Sequence, residues 1–235
     1  MGPLVSCLMP TANRRRLAAQ AIQYFFQQDY PSRELIVIDD GSDSIRDLMP
    51  ADDRIRYRRL ETTLTMGAKH NIAADEARGE MLIHWDDDDW MAPWRISYQV
   101  RQLLHQPSTI SGLARLWYYE PVTGRAWKYT YSMQDKPWIA GGTFCYTKDF
   151  WRQRPFPDMN EGADTVYIWS LPPEIVSSID DDRFYVAMAH AGNTSPKKTT
   201  GTGWLPVSAE TIQEIIGQPD WAFYQPPSWP TELKS

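Results

Sequence analysis

Four consecutive carboxylates are the chemically most informative feature of the sequence. Asp86–Asp89 directly follow the apolar segment Met81–Trp85 and precede Trp90. Adjacent like charges repel one another unless a cation compensates them. Carboxylate oxygens suit hard ions such as Mg²⁺ and Mn²⁺, which proteins often share with substrate phosphates. A solvated acidic turn would produce the same letters, but the preceding apolar segment and the following Trp favour a divalent-metal site.

A second acidic pair, Asp39 and Asp40, follows another apolar segment, Leu35–Ile38. In open α/β sheets, ligands bind beyond the carboxyl ends of the parallel strands, so two strands that end in acids can face one cleft. A carboxylate there can accept hydrogen bonds from a ribose or from the N–H of a base. Taken alone, the letters DDGS are typical of an ordinary turn.

These acids need a sheet to position them, and the first half of the chain predicts one. Apolar strands alternate with amphipathic helices, a pattern that indicates a parallel sheet covered on both faces. The segment Ile55–Leu60 is more polar than the other strands and is expected near an edge. The predicted strands are Leu4–Met9, Leu35–Ile38, Ile55–Leu60 and Met81–Trp85. The predicted helices are one carrying Leu17 to Phe26 on its apolar face, Met66–Ala77 and Pro93–His105.

The amino-acid composition changes after Pro107. Ile110–Tyr119 and Arg125–Ser132 are rich in aromatic residues and predict a hairpin. Further strands are expected at Ile139–Tyr146 and Phe184–Met188, and helices at Asp164–Leu171 and Ala209–Ile216. We therefore expect one domain over residues 1–216, with a nucleotide-binding half (1–106) and an acceptor-side, catalytic half (107–216). A Pro- and Trp-rich tail (217–235) follows.

Composition narrows the class of protein. The net charge of -6 argues against a nucleic-acid partner, because phosphate neutralisation usually requires a basic surface. The 11 Trp residues suggest an aromatic-lined groove in addition to the core. Cys7 and Cys145 lie in apolar segments and predict buried thiols in a reducing compartment. No run approaches the roughly 20 apolar residues of a membrane helix, so we expect a cytoplasmic protein without a membrane span.

Three motifs in order carry a family resemblance: MPTANR, then ELIVIDDGSDS, then GAKHNIAADEARGEMLIHWDDDDWMAPWRI. In this order and spacing they resemble family 2 glycosyltransferases of the GT-A fold, strongly over about the first 105 residues and more weakly up to His190. The resemblance implies an α/β fold with a Rossmann-like, mostly parallel central sheet flanked by helices, and a smaller acceptor-side β region. It also implies an inverting, metal-dependent transfer from a nucleoside-diphosphate sugar, with a UDP-sugar favoured, to a hydroxyl acceptor such as a glycan or a cell-envelope glycoconjugate.

The resemblance also implies a set of donor-binding residues. The segment around residues 10–13 and Asp40 would contact the nucleotide base, Lys69 would lie near the base or the phosphates, and Asp87 near the ribose. The chain differs from the family at Ala12, where an aromatic residue is usual. The implied donor-binding residues are Pro10, Thr11, Asn13, Asp40, Lys69, Asp86, Asp87 and Gly142.

For the metal, Mn²⁺ or Mg²⁺, the resemblance implies Asp88 as the first ligand and Asp86 as a supporting one. Several GT-A enzymes complete such a site with a late His, so His190 is a candidate, and a structural role for it stays equally open. We expect Asp89 to be a structural cap before Pro93.

The stretch PFPDMNEGADTVYIW resembles the later acidic motif of the family, and Asp164 falls on the position of the catalytic base. Glu161 is a local competitor, and the structural alternative for Asp164 is a helix N-cap. Inverting transfer needs such a base to deprotonate the acceptor hydroxyl.

Two alternatives to a glycosyltransferase stay open. A nucleotidyltransferase that makes sugar nucleotides shares the α/β architecture but would usually carry a Gly-rich phosphate loop, and MPTANRRR has no glycine. A binding protein with a dead site is the non-enzymatic alternative, and the intact set of carboxylates argues against it.

Overall fold

Two β-sheets and six α-helices make up the computed structural model, which describes residues 2–230 except 107, 134, 135, 196 and 227. The strands are β1 (Val5–Thr11), β2 (Arg33–Asp39), β3 (Ile55–Arg59), β4 (Met81–His84), β5 (Trp90–Met91), β6 (Ile110–Gly112), β7 (Arg115–Glu120), β8 (Arg125–Thr130), β9 (Cys145–Thr147), β10 (Val176–Ser178), β11 (Tyr185–Met188) and β12 (Trp204–Val207). The helices are α1 (Arg15–Gln27), α2 (Met66–Glu76), α3 (Arg95–His105), α4 (Lys148–Gln153), α5 (Ala163–Trp169) and α6 (Ala209–Ile216).

The larger sheet has seven strands in the order β10-β6-β9-β4-β1-β2-β3. Its centre is parallel, since β1 pairs in parallel with both β2 and β4, and β2 pairs in parallel with β3. All residues of β1, β2 and β4 are buried, which confirms the predicted sheet covered on both faces. The more polar β3 is an edge strand, as predicted. This parallel centre carries both acidic motifs beyond its carboxyl ends.

Alternate residues of the central strands enter two separate hydrophobic clusters. Cys7 and Val37 belong to the larger cluster, whereas Leu8 and Ile38 belong to the other. This follows from the two-residue period of a strand, which points successive side chains to opposite faces. The helices cover both faces; α2 begins after Thr65, whose hydroxyl accepts a hydrogen bond from the backbone N–H of Ala68 (3.1 Å).

The smaller sheet has the order β12-β8-β7-β11-β5 and contains the predicted aromatic hairpin, β7 with β8. The predicted strand 110–119 is wrong as one element. Its first part is β6 of the larger sheet and its second part is β7 of the smaller one. Between them, the backbone N–H groups of Leu113 and Ala114 donate to the hydroxyls of Thr143 and Ser178, which interrupts strand pairing.

Two further boundaries differ from the sequence prediction. Of the stretch predicted as a strand over residues 139–146, only Cys145 and Tyr146 lie in a strand, β9, and Gly141–Thr143 forms a single 3₁₀ turn. Helix α5 has Gly162 at its N-cap, in a left-handed conformation with φ of 70°. Asp164 therefore lies in the first helical turn and is not the N-cap.

The described part of the C-terminal segment contributes to the main core. Trp221, Tyr224 and Trp229 are buried within it, and the hydroxyls of Tyr224 and Tyr24 are 2.9 Å apart. Trp229 packs against the ring of His190 at a centroid distance of 5.7 Å. None of the helices in the described part of the chain combines the length and the apolar character needed to cross a membrane.

Candidate functional site

A cavity of about 510 Å³ opens beyond the carboxyl ends of β1, β2 and β4. This is the position at which an open α/β sheet is expected to bind its ligand. It brings together nine of the residues proposed from sequence, which are Pro10, Thr11, Asp40, Lys69, Asp86, Asp87, Asp88, Gly142 and Asp164. Asn13 and His190 are not part of this lining, and each has a visible structural role.

Asn13 organises the loop after β1. It has a positive φ of 55°, and its side-chain oxygen accepts hydrogen bonds from the hydroxyl of Ser42 and the backbone N–H of Asp43, each at 3.0 Å. Asn13 thus ties the segment after β1 to the segment after β2. Its effect on a bound donor would be indirect, through the position of these two loops.

Asp40 and Lys69 form a buried ion pair at one end of the cavity. The Lys69 ammonium lies 2.8 Å from Oδ1 of Asp40, and the other carboxylate oxygen accepts a hydrogen bond from the backbone N–H of Leu64 (2.9 Å). Both side chains are almost fully buried. The pair fixes the carboxylate in orientation while each oxygen retains a second lone pair for a ligand.

Asp87 is held to the segment after β1. Its carboxylate accepts hydrogen bonds from the hydroxyl of Thr11 (2.6 Å) and from the guanidinium of Arg14 (2.9 Å). Burial raises the pKa of Asp87, and the nearby Arg14 charge opposes that rise. This arrangement places a fixed, charged acceptor at the boundary between β1 and β4.

The other three carboxylates form the metal-capable group, which comprises Asp86, Asp88 and Asp89. Each offers an oxygen within 4.8 Å of the other two. Asp89 is buried and accepts hydrogen bonds from the hydroxyl of Tyr185 and from the backbone N–H of Met188 (2.7 Å). The prediction that Asp89 is a cap before Pro93 is wrong, because helix α3 begins at Arg95 with Trp94 as its N-cap.

The electrostatics of this group are those of crowded anions. Burial and the charge of Asp88 raise the pKa of Asp86 to about 6. Burial and both neighbours raise the pKa of Asp89 well above its usual range. Burial also pushes the pKa of Asp88 upward, but Arg14 and His190 outweigh it and hold that pKa at about 2. Asp86 and Asp89 thus resist ionisation beside the charged Asp88, and a hard divalent cation bound to the three oxygens would relieve this repulsion.

His190 lies directly behind Asp88. Its Nε2 is 3.0 Å from Oδ2 of Asp88, and its Nδ1 accepts a hydrogen bond from the backbone N–H of Gly192 (3.1 Å). A neutral imidazole that accepts at Nδ1 carries its proton on Nε2, so in this arrangement His190 donates to Asp88. Asn193 supports the turn, since its side-chain oxygen accepts from the backbone N–H of His190 (2.8 Å).

A turn of two glycines connects the acidic run to Asp164. A β-carbon at Gly141 would lie 2.7 Å from Cβ of Asp164 and 2.9 Å from its Oδ2. A β-carbon at Gly142 would collide with Oδ2 of Asp86 and with the Tyr185 hydroxyl. Only glycines allow both carboxylates to approach this turn so closely, so Asp86 and Asp164 face each other across it.

Three residues important for this geometry were not singled out from the sequence. Arg14 contacts two of the aspartates. Tyr185 donates to Asp86 (3.0 Å) and to Asp89. Arg95 is fully buried and donates to the carbonyls of His84 and Gly142, each at 2.7 Å, which links the end of β4 to the two-glycine turn.

One sequence signal could have identified Arg14, because it is a basic residue shortly after the first predicted strand, while the acidic run follows the fourth. Leu8 of β1 pairs with His84 of β4 in the parallel sheet, so the residues that follow these two strands lie side by side. A basic residue after β1 is therefore a natural partner for acids after β4.

Comparisons with known proteins identify the family of the chain. A model of the family described as Glycosyl transferase family 2 matches residues 6–162. A relative described as the putative colanic acid biosynthesis glycosyl transferase WcaA of Escherichia coli (strain K12) is 39% identical over 100 residues, which are 40% of this chain and 36% of the relative. A GalNAc(5)-diNAcBac-PP-undecaprenol beta-1,3-glucosyltransferase of Campylobacter jejuni is 36% identical over 94 residues, or 37% of this chain and 30% of the relative. These matches thus cover only about a third of either relative.

Two solved structures have a similar fold. TarS 1-349 of S. aureus, in complex with UDP-GlcNAc, superposes with a TM-score of 0.61 at 19% identity, over 81% of this chain and 60% of that one. The mannosyltransferase PcManGT of Pyrobaculum calidifontis, in complex with GDP-Man and Mn²⁺, gives a TM-score of 0.57 at 19% identity, over 76% and 57% of the two chains. The likeness confirms the predicted GT-A fold.

The family match extends across both acidic motifs and ends at Gly162, a lining residue of the cavity two positions before Asp164. It therefore covers the parallel centre of the sheet, the metal-capable group and the two-glycine turn together. On this evidence the chain belongs to glycosyl transferase family 2, as its three ordered motifs predicted.

Proposed function

We propose that this protein transfers a sugar from a nucleoside-diphosphate sugar to a hydroxyl group of a saccharide acceptor, with inversion at the anomeric carbon and with a divalent metal ion. One observation carries the proposal: the metal-capable group and Asp164 line the same cavity and meet across the turn Gly141–Gly142. A metal site and a general base on opposite sides of one small turn are what a sugar transfer with a diphosphate leaving group requires.

The metal would be held by Asp88 and Asp86, with Asp89 beside them, and His190 is positioned to join if its Nε2 loses its proton. The all-carboxylate group favours Mn²⁺ or Mg²⁺ over softer ions. A bound ion would supply positive charge to the leaving diphosphate. The similar PcManGT structure is a complex with Mn²⁺, which supports this choice by analogy.

The donor nucleotide would lie along the segments after β1 and β2. Thr11 and Asp87 offer fixed polar groups for a ribose, and Asp40, oriented by Lys69, offers a carboxylate for a base N–H. We favour a UDP-sugar, in line with the UDP-GlcNAc named for TarS, while the GDP-Man of PcManGT makes GDP-sugars the first alternative.

Asp164 is the proposed base. Its Oδ1 accepts a hydrogen bond from the backbone N–H of Thr165 (2.8 Å), and the Oδ2 side adjoins Gly141 in the cavity. Oδ2 would take the proton of the acceptor hydroxyl as the acceptor oxygen forms its bond to the anomeric carbon. The bond from that carbon to the diphosphate breaks on the opposite face, and its electron pair leaves with the nucleoside diphosphate. Glu161, exposed at the rim, remains the competitor.

The acceptor would enter over an aromatic cluster beside Asp164. Trp138 lines the cavity and donates from its indole N–H to the hydroxyl of Thr165 (3.1 Å). Tyr131 and Tyr129 pack against Trp138 at centroid distances of 5.3 and 5.9 Å, and Trp204 packs against Tyr129 at 4.8 Å. All four rings are half-buried, so they can offer apolar faces and polar edges to a sugar. The names of the relatives support a cell-envelope glycan or glycoconjugate as acceptor.

The cysteines support a reducing, cytoplasmic location as part of the proposal. Cys7 and Cys145 are both free and buried, and burial raises the pKa of each thiol to about 12. Such thiols are inert and suit a compartment in which disulfides do not form.

The test is a product analysis with purified protein, Mn²⁺ and a panel of UDP-, GDP- and dTDP-sugars with saccharide acceptors. We expect release of a nucleoside diphosphate together with a glycosylated product. Release of pyrophosphate would instead identify a nucleotidyltransferase, and binding of donors without any turnover would identify a dead site. Either result would overturn the proposal.

A further inference from the structure

Arg14 is the cation that the fold itself supplies to the acidic run. It is the N-cap residue of α1, and its side chain is only 14% exposed. Its Nη1 lies 2.9 Å from Oδ1 of Asp87 and 2.9 Å from Oδ2 of Asp88, and its Nη2 donates to the carbonyl of Gly192. A single guanidinium thus joins the segment after β1, the acidic run and the turn that carries His190.

Oδ2 of Asp88 is crowded by hydrogen-bond donors. Besides Arg14, it accepts from Nε2 of His190 (3.0 Å) and lies 3.4 Å from the side-chain nitrogen of Asn193. A divalent ion on Asp88 must either displace some of these donors or share the carboxylate with them. Arg14 also donates to the carbonyl of Gly192, and the backbone N–H of Gly192 donates to Nδ1 of His190. Displacing Arg14 would therefore also release the turn that keeps the proton of His190 on Nε2.

We propose that Arg14 is the built-in counter-cation of the metal-capable group and that it competes with the divalent ion for Asp88. Arg14 compensates Asp87 and Asp88 until an ion binds, and the ion then takes over this compensation. The released guanidinium remains on the cavity wall, next to the place where a diphosphate has to bind, and arginine suits that anion well. The metal part of this inference rests on the proposed function, whereas the role of Arg14 as a compensating charge rests on its contacts.

The competition predicts that neutralising Arg14 strengthens metal binding. A guanidinium and a divalent ion that lie a few ångströms apart at these buried carboxylates repel by more than the roughly 1.4 kcal/mol that a tenfold change in affinity represents. We therefore expect Arg14→Gln to bind Mn²⁺ at least about tenfold more tightly than the wild type. Loss of a positioning contact alone would weaken binding, so the sign of the change separates the two roles.

The experiment is a calorimetric titration of Mn²⁺ into protein treated with EDTA and then dialysed, at about pH 7.5 and without nucleotide, with melting temperatures measured in parallel. Arg14→Lys retains the charge and should stay within about threefold of the wild type. Arg15→Gln is the matched neutral control, because Arg15 is the next residue, is exposed and pairs with Asp47 on the surface. Its Mn²⁺ affinity should equal that of the wild type.

Stability gives a second readout. In EDTA, Arg14→Gln should melt below the wild type, and saturating Mn²⁺ should restore most of the loss, because the ion replaces the missing charge. A variant that folds only with Mn²⁺ is the extreme form of this result. Unchanged or weaker Mn²⁺ affinity in Arg14→Gln, or a variant that stays unfolded with and without Mn²⁺, would overturn the inference. Normal sugar transfer by the wild type alongside either result would leave the proposed function standing.

Discussion

The substitution Gly142→Ala tests the proposed site with a single added methyl group next to Asp86. The added methyl group would collide with Oδ2 of Asp86 and with the hydroxyl of Tyr185. Gly142 does not have a positive φ, so alanine is compatible with the backbone and the effect is purely steric. Tyr185 is buried and bonded to two aspartates, which leaves it little freedom to retreat.

The magnitude follows from the size of the overlap. To restore a normal carbon–oxygen contact with the added methyl group, Asp86 and Tyr185 would have to move by about 1 Å. A misplacement of that size in an active site can cost about 100-fold in rate. We therefore expect kcat/KM to fall about 100-fold, which corresponds to about 2.7 kcal/mol of lost transition-state stabilisation. Overpacking of this kind also destabilises folding by about 1–3 kcal/mol.

The assay compares two alanine variants of neighbouring glycines. Gly142→Ala should weaken Mn²⁺ binding as well as transfer, since it displaces Asp86. Gly141→Ala overlaps with Asp164 instead, so it should lower kcat while Mn²⁺ affinity stays within about threefold of the wild type. Gly124→Ala is the control. Gly124 has a φ of 69° and open space around it, so alanine there costs about 1 kcal/mol of backbone strain but leaves the site intact.

Equal Mn²⁺ affinity and equal kcat in Gly142→Ala and Gly124→Ala would rule out the proposed link between this turn and the metal site. Such a result would mean that Asp86 is not held against this turn in solution. A loss of metal binding in Gly141→Ala but not in Gly142→Ala would reverse the assignment of the two carboxylates.

Three further predictions concern single side chains. Asp164→Asn should lower kcat by about 10²- to 10⁴-fold while the donor and Mn²⁺ affinities measured by calorimetry stay unchanged; a kcat near that of the wild type would make Glu161 the base. In EDTA, the wild type should lose stability relative to Asp86→Asn as the pH rises from about 4 to 7, by up to about 2 kcal/mol. The reason is that the pKa of Asp86 is raised to about 6 in the folded protein, so the folded state opposes its ionisation. Thermal melts of both proteins across this range check the sign, and a difference in stability that does not change with pH would contradict the prediction. Trp138→Ala should raise the acceptor KM about 3- to 10-fold, the value of one aromatic contact, and leave the donor KM unchanged in steady-state kinetics; an equal rise in both would show that Trp138 serves the fold rather than the acceptor.

The sequence predicted the central sheet because the apolar pattern of each strand and the order of the strands along the chain indicate the same fold. The strands β1, β2 and β4 are continuous apolar runs, so their burial and parallel pairing followed from composition and order. The acids directly after them therefore had to lie at one edge of the sheet. The order of strands therefore indicated that the two acidic motifs can face one cleft, and Asp40 and Asp86–Asp88 do line one cavity.

The site details depend on contacts between distant segments, which local patterns do not encode. Tyr185 lies in an ordinary apolar strand, and nothing in its neighbours indicates that its hydroxyl meets Asp86 and Asp89. The crossover at Leu113 is unpredictable for the same reason, since the hydroxyls of Thr143 and Ser178 that interrupt the strand come from remote parts of the chain. The prediction for Asp89 was wrong because its partners lie nearly one hundred residues further along the chain.

We propose that the metal-capable group and Asp164 form one catalytic site for sugar transfer. The most direct test incubates the wild type, Asp88→Ala and Asp164→Asn with a sugar-nucleotide panel, Mn²⁺ and a saccharide acceptor, and measures nucleoside diphosphate and glycosylated product together. We expect both products from the wild type and neither from either variant, with Mn²⁺ binding lost only in Asp88→Ala and the circular dichroism spectra unchanged. Full activity in both purified variants would show that these carboxylates do not form such a site.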